Sequence, residues 1–280
     1  MKVVLQLDPD GSSWQRNPTP ERFCIAIAAA YRERIIIAGG EMRGHHGQQT
    51  RTDMYEFNTR TRECKLLSYR MPRPIWSTGA VVGTGFFLVG GYTNDNYEAT
   101  MQKLDLETGQ WRDCALMHTA RFVTSVAVFK GKVYVAGGFV GEYIKDHECY
   151  DPVSDTWTQL APLLYECARG GFITCGDYIY MLGGYSESEL EMTRNQRYNP
   201  ATNTWQEMAP LPRKRWAHAV GVTQNCIYVI GGHHKEYEFT TSVDVYDTVR
   251  DEWREGPELP YECSNGAGIS FSLLGHSNPY

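Results

Sequence analysis

Val133-Tyr134-Val135-Ala136-Gly137-Gly138 is followed, after nine residues, by Glu148-Cys149-Tyr150-Asp151-Pro152 and then by Trp157. Four apolar residues closed by two glycines predict a short strand that is buried on both faces. The turn residues Asp151-Pro152, placed between Tyr150 and Trp157, predict two further strands joined by a tight turn.

The same pattern recurs along the chain. Diglycines at steps of 51, 47, 46 and 48 residues end five apolar runs: Gly39-Gly40, Gly90-Gly91, Gly137-Gly138, Gly183-Gly184 and Gly231-Gly232. Predicted hairpins end near six positions in register: Trp14, Cys64, Trp111, Trp157, Trp205 and Trp253. Another apolar segment precedes each diglycine, so one repeat is four short strands in about 47 residues. Such sheets bury both faces only by packing radially, which predicts a β-propeller.

These combined motifs resemble the kelch repeat, and specifically the kelch domain of the BTB-kelch (kelch-like) proteins. The resemblance implies an all-β fold, a six-bladed kelch β-propeller that occupies residues 1–280 as a single domain. The count of hairpins and diglycines is uneven, so we expect the two termini to share the sixth blade and to leave it incomplete. Val3–Leu7 and Ser13–Gln15 would supply its outer hairpin, and the segment Glu262–Phe271 would supply its innermost strand. Cys64 replaces the tryptophan of one blade, which we expect to pack less well.

Proteins of this family usually carry a BTB domain and a BACK domain before the propeller. Only two residues precede the first predicted strand. The expectation from the sequence is therefore a propeller without those two domains.

Composition restricts the class of partner. The formal net charge of −6 argues against nonspecific nucleic-acid binding, and no apolar run approaches the roughly 18 residues that a membrane span needs. None of the eight cysteines forms a C-x-x-C pair, which favours reduced thiols in the cytoplasm or also the nucleus. We therefore expect no nucleic-acid partner and no membrane association.

The sequence contains no phosphate-binding loop, dinucleotide fingerprint, nucleophile elbow or zinc-protease motif. The adjacent histidines His45-His46 and His233-His234 follow diglycines and point to opposite sides of an extended chain, which disfavours a shared metal. Glu187, Glu189 and Glu191 lack the spacing of a calcium loop. We predict no cofactor and no metal, and a non-catalytic module in preference to a kelch-fold oxidase or epimerase.

The repeat register indicates two sets of loop positions for partner binding. Residues directly after a diglycine and residues fourteen before it commonly contact the partner in kelch-like proteins, as the resemblance implies. The predicted partner-binding residues are Tyr92, Phe139, Tyr185, His233, Glu41, Trp76, Arg169, Asn265 and Arg43. Exposed aromatic and arginine side chains often dominate binding energy. The alternative for the aromatic residues is packing between blades, and for Arg169 an internal ion pair with Glu166.

Charge is unevenly distributed over these loops. The segment Met42–Arg51 is basic, whereas the loops across the ring carry Glu142, Glu187, Glu189, Glu236 and Glu238. We expect a partner segment with both charge signs. The resemblance implies substrate recognition for a cullin–RING ubiquitin ligase, with the cullin reached only through a BTB domain. The alternative is a cytoskeletal, actin-binding or scaffold protein.

Overall fold

The computed structural model describes residues 3–7, 12–20, 26–44, 47–73, 75–93, 96–234 and 238–262. These residues form strands, turns and loops and contain no helix. Five four-stranded antiparallel sheets follow one another along the chain and are called blades 1 to 5. The second strand of each blade is almost entirely apolar, because its side chains point alternately to the two faces of the sheet and neighbouring blades cover both faces.

The strands of the blades have the following bounds. Blade 1 contains β3 (Ile27–Tyr31), β4 (Arg34–Ala38), β7 (Asp53–Asn58) and β8 (Cys64–Arg70). Blade 2 contains β9 (Trp76–Val82), β10 (Gly85–Thr93), β11 (Asn96–Asp105) and β12 (Trp111–Asp113). Blade 3 contains β13 (Ser125–Phe129), β14 (Lys132–Ala136), β15 (His147–Asp151) and β16 (Thr156–Gln159). Blade 4 contains β17 (Gly171–Cys175), β18 (Tyr178–Leu182), β21 (Asn195–Asn199) and β22 (Thr204–Glu207). Blade 5 contains β23 (Ala219–Thr223), β24 (Cys226–Ile230), β27 (Val243–Asp247) and β28 (Glu252–Glu255).

Four small hairpins complete the described strands. They are β1 (Val3–Leu7) with β2 (Trp14–Pro18), β5 (Glu41–Gly44) with β6 (Gly47–Thr50), β19 (Tyr185–Ser186) with β20 (Leu190–Glu191), and β25 (His233–His234) with β26 (Glu238–Phe239). The last three lie in the loops between the second and third strands of blades 1, 4 and 5.

The first strand of each blade lies nearest the centre of the ring, because β3, β9, β13, β17 and β23 contact one another in that order. Apolar clusters fill the spaces between adjacent blades. The diglycines at the ends of the second strands let the backbone of another loop approach closely. At Gly137, where φ is +62°, an added Cβ would lie 2.0 Å from the carbonyl oxygen of Cys167.

A repeated pair of hydrogen bonds, which we call the clamp, joins blades 3, 4 and 5 each to the preceding blade. The indole Nε1 of Trp157 donates to the carbonyl oxygen of Ala115 at 2.9 Å, and the amide of Ala115 donates to Asp155 at 3.0 Å. The same pair of bonds recurs at Ala161 and at Ala209. The recurring tryptophan therefore fixes blade to blade through hydrogen bonds as well as through its apolar face.

The N-terminal hairpin β1–β2 lies between blade 5 and blade 1. The indole of Trp14 donates to the carbonyl oxygen of Pro257 at 2.9 Å, which continues the clamp beyond blade 5. Leu5 and Trp14 pack on the outer core of blade 5, and Val4 packs on that of blade 1. Cys64, half-buried in the outer strand of blade 1, has no indole N–H with which to make the clamp to the hairpin.

The prediction of six blades is wrong in its count, because the described residues form five four-stranded blades. The number of blades was inferred from six predicted hairpins. One of them, β1–β2, forms a two-stranded sheet and not the outer half of a four-stranded blade. The segment expected to add the innermost strand of a sixth blade, Glu262–Phe271, lies almost entirely outside the described residues. The kelch β-propeller itself is confirmed.

We expect amide hydrogens of Val3–Leu7 to exchange faster than those of Val133–Ala136. In the described sheets β1 pairs with one strand only, whereas β14 is paired on both sides, and terminal strands open at lower free energy than core strands. Native-state exchange followed by mass spectrometry measures the difference. Equal protection of the two segments would contradict this account of the hairpin.

Candidate functional site

The candidate site lies at the end of the blades where each second strand ends and each third strand begins. The chain also enters each new blade at this end, which we call the loop face. Loops on a rigid scaffold commonly carry function.

An inner ring of backbone contacts supports the loop face. Val123, Arg169 and Ala217 precede the innermost strands of blades 3, 4 and 5, and all three have left-handed φ angles of 49°, 55° and 50°. The amide of Arg169 donates to the carbonyl oxygen of Val123 at 3.2 Å, and the amide of Ala217 donates to that of Arg169 at 2.8 Å. The positions fourteen residues before the diglycines of blades 3, 4 and 5 are therefore linked from blade to blade.

Around this inner ring, aromatic side chains form a continuous series of contacts that we call the aromatic arc. Successive ring centroids are 4.1 to 6.3 Å apart. Its members are Trp76, Tyr92, Tyr97, Phe122, Phe139, Tyr143, Tyr185, Trp216, His233 and Phe239. The arc crosses blades 2 to 5, and most of its rings are partly exposed. Such a surface can bury apolar or cationic groups of a partner.

The structure brings most of the predicted binding residues together in this arc. Trp76, Tyr92, Phe139 and Tyr185 are partly exposed members, and each also packs against a ring contributed by another loop or strand. His233 is different, because it is only 6% exposed and stacks under Trp216 with the two ring planes 9° apart. Packing between blades and exposure at the loop face therefore coexist in the same side chains.

Arg169 lies against the arc. Its guanidinium carbon is 5.5 Å from the centroid of the Trp216 ring, within the range of a cation–π contact. Glu166, the alternative partner expected from the sequence, accepts a hydrogen bond from the amide of Ser188 at 3.2 Å.

The remaining predicted residues are described in part or not at all. Glu41 and Arg43 lie in β5, where only the backbone is described, and Asn265 lies outside the described residues. His45, His46 and Glu236 also lie outside them. Glu189, one of the predicted acidic loop residues, forms an ion pair with Arg194 at 2.8 Å.

Sequence reasoning missed five of the ten members of the arc. Phe122 and Trp216 stand one position before the inner ring, and each pairs with the residue after its own diglycine. A search at fifteen residues before each diglycine would have found them. Tyr97, Tyr143 and Phe239 follow their diglycines at different distances, so the repeat gives no signal for them.

Buried ion pairs hold the scaffold beneath the loop face. The guanidinium of Arg121 donates to Glu148, and both side chains are fully buried; Arg215 and Asp244 form the same pair in blade 5. Burial lowers the pKa of Arg215 to about 10, which still leaves its guanidinium charged at neutral pH. Blade 4 has Cys167 and Gln196 in the two corresponding positions. The cation and the anion are therefore replaced together.

Buried histidine and cysteine side chains also belong to the scaffold. Burial lowers the pKa of His147 to about 3, and its Nδ1 lies 3.2 Å from the carbonyl oxygen of Ala161. Burial raises the pKa of the Cys167 thiol to about 12. The six cysteines in the described ranges are free thiols, and no group of three metal-binding side chains occurs among those residues. Nor does this part of the chain contain a helix with the length and apolarity to cross a membrane.

Comparison with protein-family models identifies the repeat as a kelch repeat. The model of the KLHDC2/KLHL20/DRC7 Kelch-repeats domain matches residues 3–171, and the Kelch motif matches residues 166–212 and 217–260. The chain belongs to the kelch-repeat family.

Curated relatives of this kelch propeller include kelch-like proteins. Kelch-like protein 36 of Bos taurus is 29% identical over 198 residues, which are 67% of this chain and 31% of the relative. Kelch-like protein 25 of Xenopus tropicalis is 27% identical over 177 residues, 62% of this chain and 29% of the relative. Spermatocyte protein spe-26 of Caenorhabditis elegans is 27% identical over 193 residues, 65% of this chain and 33% of the relative. The matched part of the kelch propeller spans about a third of the length of these proteins.

Among solved structures, the one titled "Structure of YjhT" superposes on the kelch propeller with a TM-score of 0.74. The superposition covers 90% of this chain and 88% of the other, at 16% sequence identity. At that identity the likeness concerns the fold.

Proposed function

We propose that this kelch propeller is a non-catalytic protein-interaction module that holds a peptide segment of its partner against the aromatic arc. The observation that supports the proposal is the arc itself, in which ten rings lie in contact across four blades at the loop face. Partly exposed tyrosine and tryptophan side chains that are already held by neighbours lose little conformational freedom when a partner binds.

We further propose that the captured partner is a substrate for ubiquitin transfer, with the propeller as its recognition module. The relationship to kelch-like proteins supports this role. In such an assembly the cullin would be reached through a BTB domain and not through the propeller. The module would work in the cytoplasm and the nucleus.

Affinity capture from cell lysate, with and without proteasome inhibition, tests both statements. A substrate bound through the arc is recovered in larger amounts after inhibition, because the bound protein is no longer degraded. Recovery that does not change with inhibition contradicts the ubiquitin role and favours a stable scaffold partner. If substitutions in the arc do not change the amount of partner recovered, the proposal that the partner binds at the arc is wrong.

We expect Arg169→Ala to lower partner capture about thirtyfold, since truncation at a binding hot spot typically costs about 2 kcal/mol or more. The thermal stability of the variant should stay nearly unchanged. Ala217 occupies the corresponding position of the next blade with the same left-handed backbone, so alanine is tolerated there.

Arg250→Ala is the matched control, because Arg250 is an exposed arginine in a turn at the opposite end of the blades. It should leave capture unaltered. Unaltered capture by Arg169→Ala, or loss of its folding, would place Arg169 in the scaffold only.

A further inference from the structure

We infer that the partner segment of this site is basic, with an arginine or lysine side chain next to a large apolar one. The inference rests on the proposed function and concerns which class of peptide the aromatic arc selects. It follows from the charged side chains and the exposed apolar side chains at the arc in blades 3, 4 and 5.

Each of these three blades places an exposed carboxylate beside a ring of the arc. Glu142 precedes Tyr143, Glu187 follows the β19 strand that begins with Tyr185, and Glu238 precedes Phe239 in β26. No ion pair to these three carboxylates is formed within the described residues. They therefore remain available to a cationic partner.

The cations near the arc are largely engaged within the protein. The guanidinium of Arg169 lies on Trp216, and Arg194 is paired with Glu189 and Glu207. Arg73 is paired with Glu98 at 3.2 Å. The ammonium of Lys145 donates to the carbonyl oxygen of Leu164 at 3.0 Å.

Lys214 remains as an exposed cation in the loop that leads into blade 5. Among the residues that the structure describes at the loop face, three carboxylates without an ion pair stand against this lysine, together with Glu166, which accepts a backbone hydrogen bond. The uncompensated charge of the described residues around the arc in blades 3, 4 and 5 is therefore negative.

Two exposed apolar side chains in the loop hairpins supply a second contact surface for the partner. Leu190 is 57% exposed in the β19–β20 hairpin, and Phe239 is 46% exposed in the β25–β26 hairpin. An apolar side chain of the partner would pack against Leu190 or Phe239. Its basic neighbour would reach a carboxylate and at the same time lie over an aromatic face, where a cation is attracted by the ring quadrupole.

Selection of random twelve-residue peptides displayed on phage, with the immobilised protein as target, tests the inference. We expect enrichment of arginine or lysine adjacent to large apolar residues. Selected peptides, made synthetically and labelled, should bind about tenfold more weakly to the triple variant Glu142→Gln/Glu187→Gln/Glu238→Gln, because three exposed ion pairs of modest strength are lost together.

A charge-matched variant provides the control. Glu63→Gln/Asp177→Asn/Glu252→Gln removes three exposed carboxylates at the opposite end of the blades and should leave binding within twofold. The salt dependence of binding should decrease only in the loop-face variant.

The outcomes separate the two levels of the proposal. Selected peptides that depend on Tyr185 but are neutral or acidic overturn the basic partner and leave the interaction site standing. Peptides that bind equally to the wild-type protein and to Tyr185→Ala overturn the proposed site as well.

Discussion

Arg121→Cys is expected to destabilise the protein by about 3–5 kcal/mol, because it leaves the buried carboxylate of Glu148 without its guanidinium. That loss is a large fraction of the roughly 5–15 kcal/mol by which a domain is stable. The guanidinium also donates to the carbonyl oxygens of Gly137 and Asp146, which lie beside the loop face.

The double substitution Arg121→Cys/Glu148→Gln is expected to restore most of the stability. It reproduces the pair that blade 4 already uses, Cys167 with Gln196. Gln196 accepts the amide of Leu164 at 2.9 Å, and Glu148 accepts the amide of His118 at 2.8 Å in the same position of its own blade. A glutamine at position 148 can therefore still accept the amide of His118, and it removes the buried negative charge of Glu148.

Urea unfolding of the two single variants and the double variant measures the coupling directly. The exposed ion pair between Arg32 and Glu107, 3.0 Å apart, is the control, and Arg32→Ala should cost less than about 1 kcal/mol. A double variant no more stable than Arg121→Cys would mean that Arg121 and Glu148 do not act as a pair.

His147→Asn is expected to reduce the sensitivity of the protein to acid. The folded state holds His147 neutral with a pKa of about 3, against 6.5 in the unfolded chain. Between these values the unfolded state binds a proton that the folded state does not, so stability falls as the pH is lowered, by about 1.4 kcal/mol per pH unit. His218, whose pKa burial also lowers to about 3, adds the same slope.

Asparagine is the appropriate replacement because blade 4 carries Asn195 in the position of His147. Asn195 Nδ2 donates to the carbonyl oxygen of Ala209 at 3.0 Å, and this contact matches that of His147 with Ala161. The variant should be less stable than the wild type at pH 7, since the ring packs between Tyr198 and Trp205. Its free energy of unfolding, measured from pH 7 to pH 4, should have the shallower slope. An unchanged slope would show that His147 is protonated in the folded state.

The sequence predicted the period, the strand pattern and the kelch family because those features repeat. The diglycine recurs in all five blades, and the tryptophans of blades 3, 4 and 5 make the same contact with the preceding blade, such as the hydrogen bond from Trp157 to Ala115. The number of complete blades was not predictable in this way. The hairpin β1–β2 carries the same signature as the outer half of a blade, and the signature does not reveal which strands pair with it.

Part of the candidate site was predicted, because some of its residues occupy positions that repeat from blade to blade. Tyr92, Phe139 and Tyr185 share one register position and were identified, whereas Tyr97 and Tyr143 follow their diglycines at unequal distances. The spacing gives the positions of His233 and Trp216, but only the structure shows that their rings stack and that His233 is buried. The exchange of Arg121 and Glu148 for Cys167 and Gln196 is visible in the aligned repeats, but only the structure shows that these side chains meet.

Photo-crosslinking is the most direct test of binding at the aromatic arc. Benzoylphenylalanine would replace Tyr143 at the loop face in one protein, and Val249, which is 75% exposed in a turn at the opposite end of the blades, in another. With the partner recovered by affinity capture, the account predicts a covalent adduct from position 143 and none from position 249. Adducts from position 249 alone, or equal yields from both positions, would contradict it.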